Sequence, residues 1–91
     1  MYVVIATNQF RKDYRLCIKR KLEISLLDKL IISLSDNGIV PSSHLPHILS
    51  GSYSGFWECH IKSDWLLIWK KEEEIKTITL IGTGSHSDLF N

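Results

Sequence analysis

The 91-residue chain predicts an α+β domain, with two N-terminal helices packed on a small, mainly antiparallel sheet in the order β-α-α-β-β-β. Three observations point that way: a β-branched opening run, two stretches with apolar residues at helical spacing, and a switch to period-two alternation in residues 55–81. Residues 2–6 are short, apolar and β-branched, and read as a strand. Thr7 or Asn8 can cap a helix in which Phe10, Tyr14, Cys17 and Ile18 share one side, with Arg11, Lys12, Arg15 and Lys19 on the other. A second helix starts near Ser25, where residues 25–28 form a weak capping box with Asp28 in the place of glutamate. Leu27, Leu30, Ile31 and Leu34 make its buried stripe, and Asn37-Gly38 followed by Pro41 stops it. Two helices so closely joined should form an antiparallel pair.

Residues 38–55 are rich in glycine, proline and serine and read as loop, with His44 and His47 inside it. Residues 55–61 then form a strand, 62–63 a tight connection, and 64–70 the hairpin partner. Glu72, Glu73 and Glu74 make a charged turn before a last strand at 75–81, and a glycine- and serine-rich tail carries His86.

Apolar residues make up 44% of the chain and charged residues 23%, too apolar for a disordered polymer, and the length suits one compact unit over residues 1–91. The formal charge of +1 does not announce a nucleic-acid binder, but it is unevenly spread. Residues 1–29 hold seven bases (Arg11, Lys12, Arg15, Lys19, Arg20, Lys21, Lys29) against three acids (Asp13, Glu23, Asp28), while the remainder holds four bases and seven acids. The two cysteines, Cys17 and Cys59, lie in apolar-periodic stretches, which argues against a disulfide framework and a thiolate zinc site. No leader opens the chain, and its longest apolar runs fall far short of a membrane span. A cytoplasmic protein with no membrane partner is expected.

Side chains on a strand alternate faces, so Trp57, Cys59 and Ile61 read as core. Phe56, Glu58, His60 and Lys62 line the opposite face, and the tight turn brings Asp64 and Trp65 back beside His60. Imidazoles beside carboxylates suit general acid–base catalysis near neutral pH. RNA cleavage is one such reaction: a base takes the 2′-OH proton, an acid protonates the leaving 5′ oxygen, and a cation steadies the charge on phosphorus. Trp57 and Trp69 read as core aromatics, whereas Trp65, beginning a strand beside a polar turn, is open enough to stack a base. No histidine pair falls at i, i+4 on a helix, so neither a metal nor another cofactor is expected.

The segment from His47 through Gly55-Phe56-Trp57-Glu58-Cys59-His60 and Asp64-Trp65 to Lys70 resembles the block that marks YafQ-type toxins of the RelE/ParE superfamily. The tail Gly84-Ser85-His86-Ser87-Asp88-Leu89-Phe90 is similar to that group's glycine–hydroxyl–histidine ending with its Leu-Phe pair. The resemblance covers the whole chain and implies a RelE-like fold and a metal-independent endoribonuclease. Such a toxin of a type II toxin–antitoxin system cuts mRNA on the ribosome and is neutralised by a cognate antitoxin. Operator DNA would be met only through the antitoxin complex. By position, His47, His60, Asp64 and His86 match the acid–base residues, Glu58 a neighbouring acidic position, and Phe90 the aromatic near the scissile site. His86 is then the acid, the His60/Asp64 pair lies on the base side, and His47 helps at the phosphate. Lys62, Trp65 and Lys70 complete the substrate-binding set.

Two positions depart from the group's pattern. Gly82 stands four residues before His86, where the group usually carries an arginine, and Trp57 replaces an arginine in the hairpin. Losing a guanidinium at a developing phosphorane costs a factor of about a hundred or more in rate, which Lys62 or Lys70 would have to offset. The resemblance therefore leaves two readings open: an active mRNA interferase, or a weak or inactive protein of the same fold acting as an antitoxin-binding partner and operon co-repressor. The gyrase-poisoning ParE branch fits poorly, because it lacks this histidine set.

Overall fold

A computed structural model describes residues 1–90. Strand β1 (Val3–Ala6) is followed by helices α1 (Asn8–Lys19) and α2 (Ile24–Asn37). Then come the two-residue strand β2 (His47–Ile48), strands β3 (Trp57–Lys62), β4 (Trp65–Glu72) and β5 (Thr77–Gly84), and the short helix α3 (His86–Phe90). The five strands lie in the order β1-β5-β4-β3-β2, with β1 parallel to β5 and every other pair antiparallel. The expected α+β class and helix–sheet layering hold. The loop between α2 and β3 contains β2 and two single 3₁₀ turns, and the glycine- and serine-rich tail contains α3. Elements this short lie below the length at which periodicity is readable.

Thr7 caps α1, its side-chain oxygen accepting the Phe10 N–H at 3.0 Å. Helix α1 ends in a paired turn: Leu22 N–H donates to Cys17 O and Lys21 N–H to Ile18 O, with Lys21 in the left-handed region at φ 60°. The capping box expected at residues 25–28 is absent. Helix α2 starts at Ile24 without a side-chain cap, and Asp28 instead accepts the Tyr14 hydroxyl at 2.7 Å, tying α2 to α1. This bond raises the Tyr14 pKa. Gly38 closes α2 at φ 72°, and any β-carbon there would overlap the Tyr2 ring, so the stop signal is also a packing requirement.

The core fills the space between helices and sheet: Phe10 and Cys17 of α1, Leu27, Leu30 and Leu34 of α2, and Cys59, Ile61, Trp65, Leu67, Trp69, Ile78 and Leu80 of the strands. Ile18, expected in the α1 stripe, is half exposed, because Cys17 takes the inward position. Trp57 and Trp69 stack nearly parallel, 9° apart, with ring centroids at 6.1 Å. Leu66 and Ile68 are fully buried on the opposite face, outside this core, which shows that the second face is covered too. Strand β5 runs three residues past the expected 75–81 and begins at Thr77, because residues 73–76 make the turn with Lys76 at φ 49°.

Candidate active site

The β3–β4 turn and the end of β5 meet at the edge of the second face. A bulge between His60 and Lys62 and a left-handed Ser63 (φ 48°) turn the chain so that Asp64 opens β4. Opposite it, β5 stops at Gly84 and α3 begins at His86. One Asp64 oxygen, Oδ1, accepts the His86 backbone N–H at 3.0 Å and the ring Nδ1–H at 2.7 Å. Those two donors, the backbone one first, hold the Asp64 carboxyl below the ordinary carboxylate range. With Asp64 ionised, Nδ1 carries its hydrogen and the free Nε2 is the working atom of His86. The His60 ring lies 6.3 Å from that of His86, and its Nδ1 faces the Ser63 carbonyl at 3.4 Å. Phe90 lies 5.9 Å from His86 on its other side, and Tyr53 meets Phe90 edge-on at 5.3 Å.

Helix α3 is five residues long and needs fastening. Ser85 and Asp88 cap it reciprocally: Asp88 N–H donates to the Ser85 hydroxyl at 3.1 Å, and Ser85 N–H donates to Asp88 Oδ2 at 2.9 Å. From the end of α1, Arg20 grips both Asp88 oxygens, at 2.6 and 3.3 Å. These donors, the guanidinium foremost, lower the Asp88 carboxyl to about 2. The Asp88 carboxylate lies where a β-carbon on Gly84 would sit, 2.9 Å away, so only glycine fits there.

A second pair lies beside this one. His47 stands opposite Glu58 across β2 and β3, with Nε2 3.2 Å from Glu58 Oε1 and Nδ1 donating to the Leu45 carbonyl at 2.9 Å. Both ring nitrogens of His47 thus face acceptors. Glu58 is 4% exposed, and its other oxygen has no hydrogen-bond partner among the described residues. His44 donates from Nδ1 to the His60 carbonyl at 2.7 Å, pinning the bulged backbone that carries His60. Among the described residues, no three histidine, cysteine or acidic side chains gather closely enough to hold a metal ion.

The sequence profile of YafQ, a bacterial toxin of type II toxin–antitoxin systems, matches residues 2–91. The chain belongs to the YafQ family. It is 33% identical over 85 residues to the mRNA interferase toxin YafQ of Escherichia coli K12, covering 92% of this chain and 90% of that protein. The crystal structure of YafQ from E. coli BL21(DE3) superposes with a TM-score of 0.91 at 29% identity, over the whole of both chains. YafQ in the E. coli DinJ–YafQ complex gives 0.89 at 30% identity, again over both whole chains.

Of the residues expected in this YafQ site, His60, Asp64, His86 and Phe90 come together, with the His47–Glu58 pair two residues along β3. Asp64 is paired with His86 and not with His60, because the turn aims it across the sheet toward α3. Trp65 is a correction: it is 6% exposed, and its Nε1–H donates to the Thr83 hydroxyl at 3.0 Å, so it offers no open face for stacking. By the alternation of β4, Trp65 shares its face with Leu67 and Trp69, and all three lie in the core. Lys62 is exposed beside Asp64, whereas Lys70 stands four residues beyond Leu66, about 13 Å along β4, near Glu72. Gly82 is buried: a β-carbon there would lie 3.1 Å from Asp13 Oδ2 and 3.2 Å from Leu89 Cδ2. It borders a crevice of about 500 Å³ shared with Thr7, Tyr53 and Ile68. Sequence reading missed Arg20, Tyr53, His44 and the Ser85–Asp88 box. The box was legible as a serine three residues before an acid, but neither the Arg20–Asp88 contact nor the Tyr53–Phe90 contact has a local sequence signal.

Proposed function

We propose that this YafQ-family chain is a metal-independent endoribonuclease that cuts mRNA on the ribosome and is neutralised by a cognate antitoxin. The observation that carries it is the Asp64–His86 pair at 2.7 Å, with a second histidine one ring away. The Asp64 carboxylate fixes the orientation of the His86 ring through Nδ1, so Nε2 is the atom that hands a proton to the leaving oxygen. His60 Nδ1 faces a carbonyl and therefore keeps its hydrogen, leaving the Nε2 lone pair to take the proton of the ribose 2′-OH. The 2′ oxygen bonds to phosphorus as that proton leaves, and the bond from phosphorus to the 5′ oxygen breaks as His86 protonates it. The products are a 2′,3′-cyclic phosphate and a 5′-hydroxyl. His47 helps at the phosphate, and Phe90 stacks a base. The names of the E. coli relatives support both the activity and the antitoxin partner. The antitoxin covers the exposed basic side of α1 at Arg11, Lys12, Arg15 and Lys19, and operator DNA is reached only through that complex.

Gly82 favours a second reading, in which the protein lacks the phosphate-binding cation and serves mainly as an antitoxin partner and co-repressor. Expression without antitoxin, with growth followed and mRNA 5′ ends mapped, separates the two. Growth arrest with new, in-frame ends is expected, and His60→Ala or His86→Ala should abolish both while leaving the fold intact. Normal growth on soluble wild-type protein, or full toxicity of both variants, would sink the nuclease reading.

A further inference from the structure

Beside the Asp64–His86 pair lies a groove of about 570 Å³, whose one wall is the α1–α2 connection and whose other is the β3–β4 turn. That volume falls in the range of roughly 300–1,000 Å³ typical of sites for small organic ligands. Asp64, the partner of His86, and Ser85, its chain neighbour, are among its lining residues. Three cations line it: Arg20, Lys21 and Lys62. Arg20 is committed to Asp88. Neither Lys21 nor Lys62 has a carboxylate within ion-pair distance among the described residues. Both walls are fixed by left-handed residues, Lys21 itself at φ 60° and Ser63 at φ 48°, so the two ammonium groups project from tight turns. Leu22, 37% exposed, adds an apolar surface, and Glu23 adds one carboxylate.

We propose that this groove is a phosphate subsite for single-stranded RNA, in which Lys21 and Lys62 take the phosphate next along the strand from the one cut at His86, and the attached nucleoside packs on Leu22. Its ligand class rests on the ribonuclease reading. Paired unneutralised ammonium groups on one groove recognise a phosphodiester as point charges, and the groove shares Asp64 with the Asp64–His86 pair. The subsite supplies from the β3–β4 side a charge that Gly82 does not supply from β5.

Binding and cutting are separable with an oligoribonucleotide carrying 2′-O-methyl groups throughout, which has no nucleophile, followed by fluorescence anisotropy on the full chain across a salt series. Replacing both Lys21→Gln and Lys62→Gln should raise Kd about tenfold and reduce the slope of log affinity against log salt by about 0.7, the value for one phosphate contact on a single strand. Glu23→Gln should tighten binding, and Lys29→Gln, a charge change on α2 away from the groove, should leave Kd and slope unchanged. With cleavable RNA, the double variant should raise KM with kcat kept within about twofold. An unchanged Kd and slope in the double variant would overturn the subsite, as would a loss of antitoxin affinity with RNA affinity intact. A wild type that binds the oligonucleotide through these lysines but cuts no mRNA on translating ribosomes would leave the subsite standing and overturn the nuclease reading instead.

Discussion

On the helix-covered face of the sheet, Cys59, Ile61, Leu67 and Trp69 sit in a continuous apolar core. Their immediate neighbours on the same strands, Glu58, His60, Leu66 and Ile68, face the other way, onto a thin cover that includes Tyr53 and α3. Burial on the first face is redundant, with many side chains sharing it. On the second, order depends on a few directed polar contacts, each with one or two partners: Asp64 to His86, Arg20 to Asp88, His47 to Glu58. The lesson is a division of labour along single strands. Alternate residues pack the core on one side and line the candidate site on the other, so the two can fail separately.

The largest expected contrast comes from one substitution on each face. Leu67→Ala, fully buried in the core, should cost about 3 kcal/mol, read as the urea unfolding midpoint. Asp64→Asn should leave that midpoint nearly unmoved, yet lower RNA cleavage about a hundredfold or more, because His86 loses the partner that sets its tautomer. A comparable loss of stability from Asp64→Asn would erase the distinction between the faces.

The next effect is pH-dependent. Asp88 titrates at about 2 in the folded protein against an ordinary 3.8. A depressed carboxyl contributes stability that is whole above pH ~4 and is lost as pH falls toward ~2. Asp64 is shifted in the same direction. Asp88→Asn should therefore lower the unfolding midpoint at pH 7 by less than Leu67→Ala does, slow cleavage by loosening α3, and match the wild type in stability near pH 2. Equal cleavage rates for Asp88→Asn and wild type would show that α3 needs no tether.

Smallest is Trp65→Phe, which removes one buried hydrogen bond to Thr83 and should cost about 1 kcal/mol. Cleavage should stay within twofold; a large loss of activity would return Trp65 to the substrate surface.

The long elements and their core residues were legible because period-two and helical spacing survive in single stretches of sequence. So were the histidines, acids and terminal aromatic of the site, through the motif that carries them. What escaped reading is what short range cannot encode. The bulge at His60–Lys62 puts an extra residue into β3 and leaves Trp65 opposite Lys62, on the core face with Leu67 and Trp69. The partner of Asp64 is chosen by the path of α3, and Arg20 meets Asp88 across 68 residues of chain. At Ser25–Asp28 the capping pattern is present but unused, with Asp28 taken by Tyr14; at Ser85–Asp88 the same pattern works, with Asp88 serving the Ser85 N–H and Arg20 together.

Strand β5 lies between β1 and β4, so the first strand has no neighbour in the sheet until residues 77–84 exist. The imidazole of His86 comes later still. A nascent polypeptide, emerging at about 5–20 residues per second, thus passes through most of its synthesis with its opening strand unpaired and its candidate site unassembled. The Asp64–His86 pair forms only after β5 has been made.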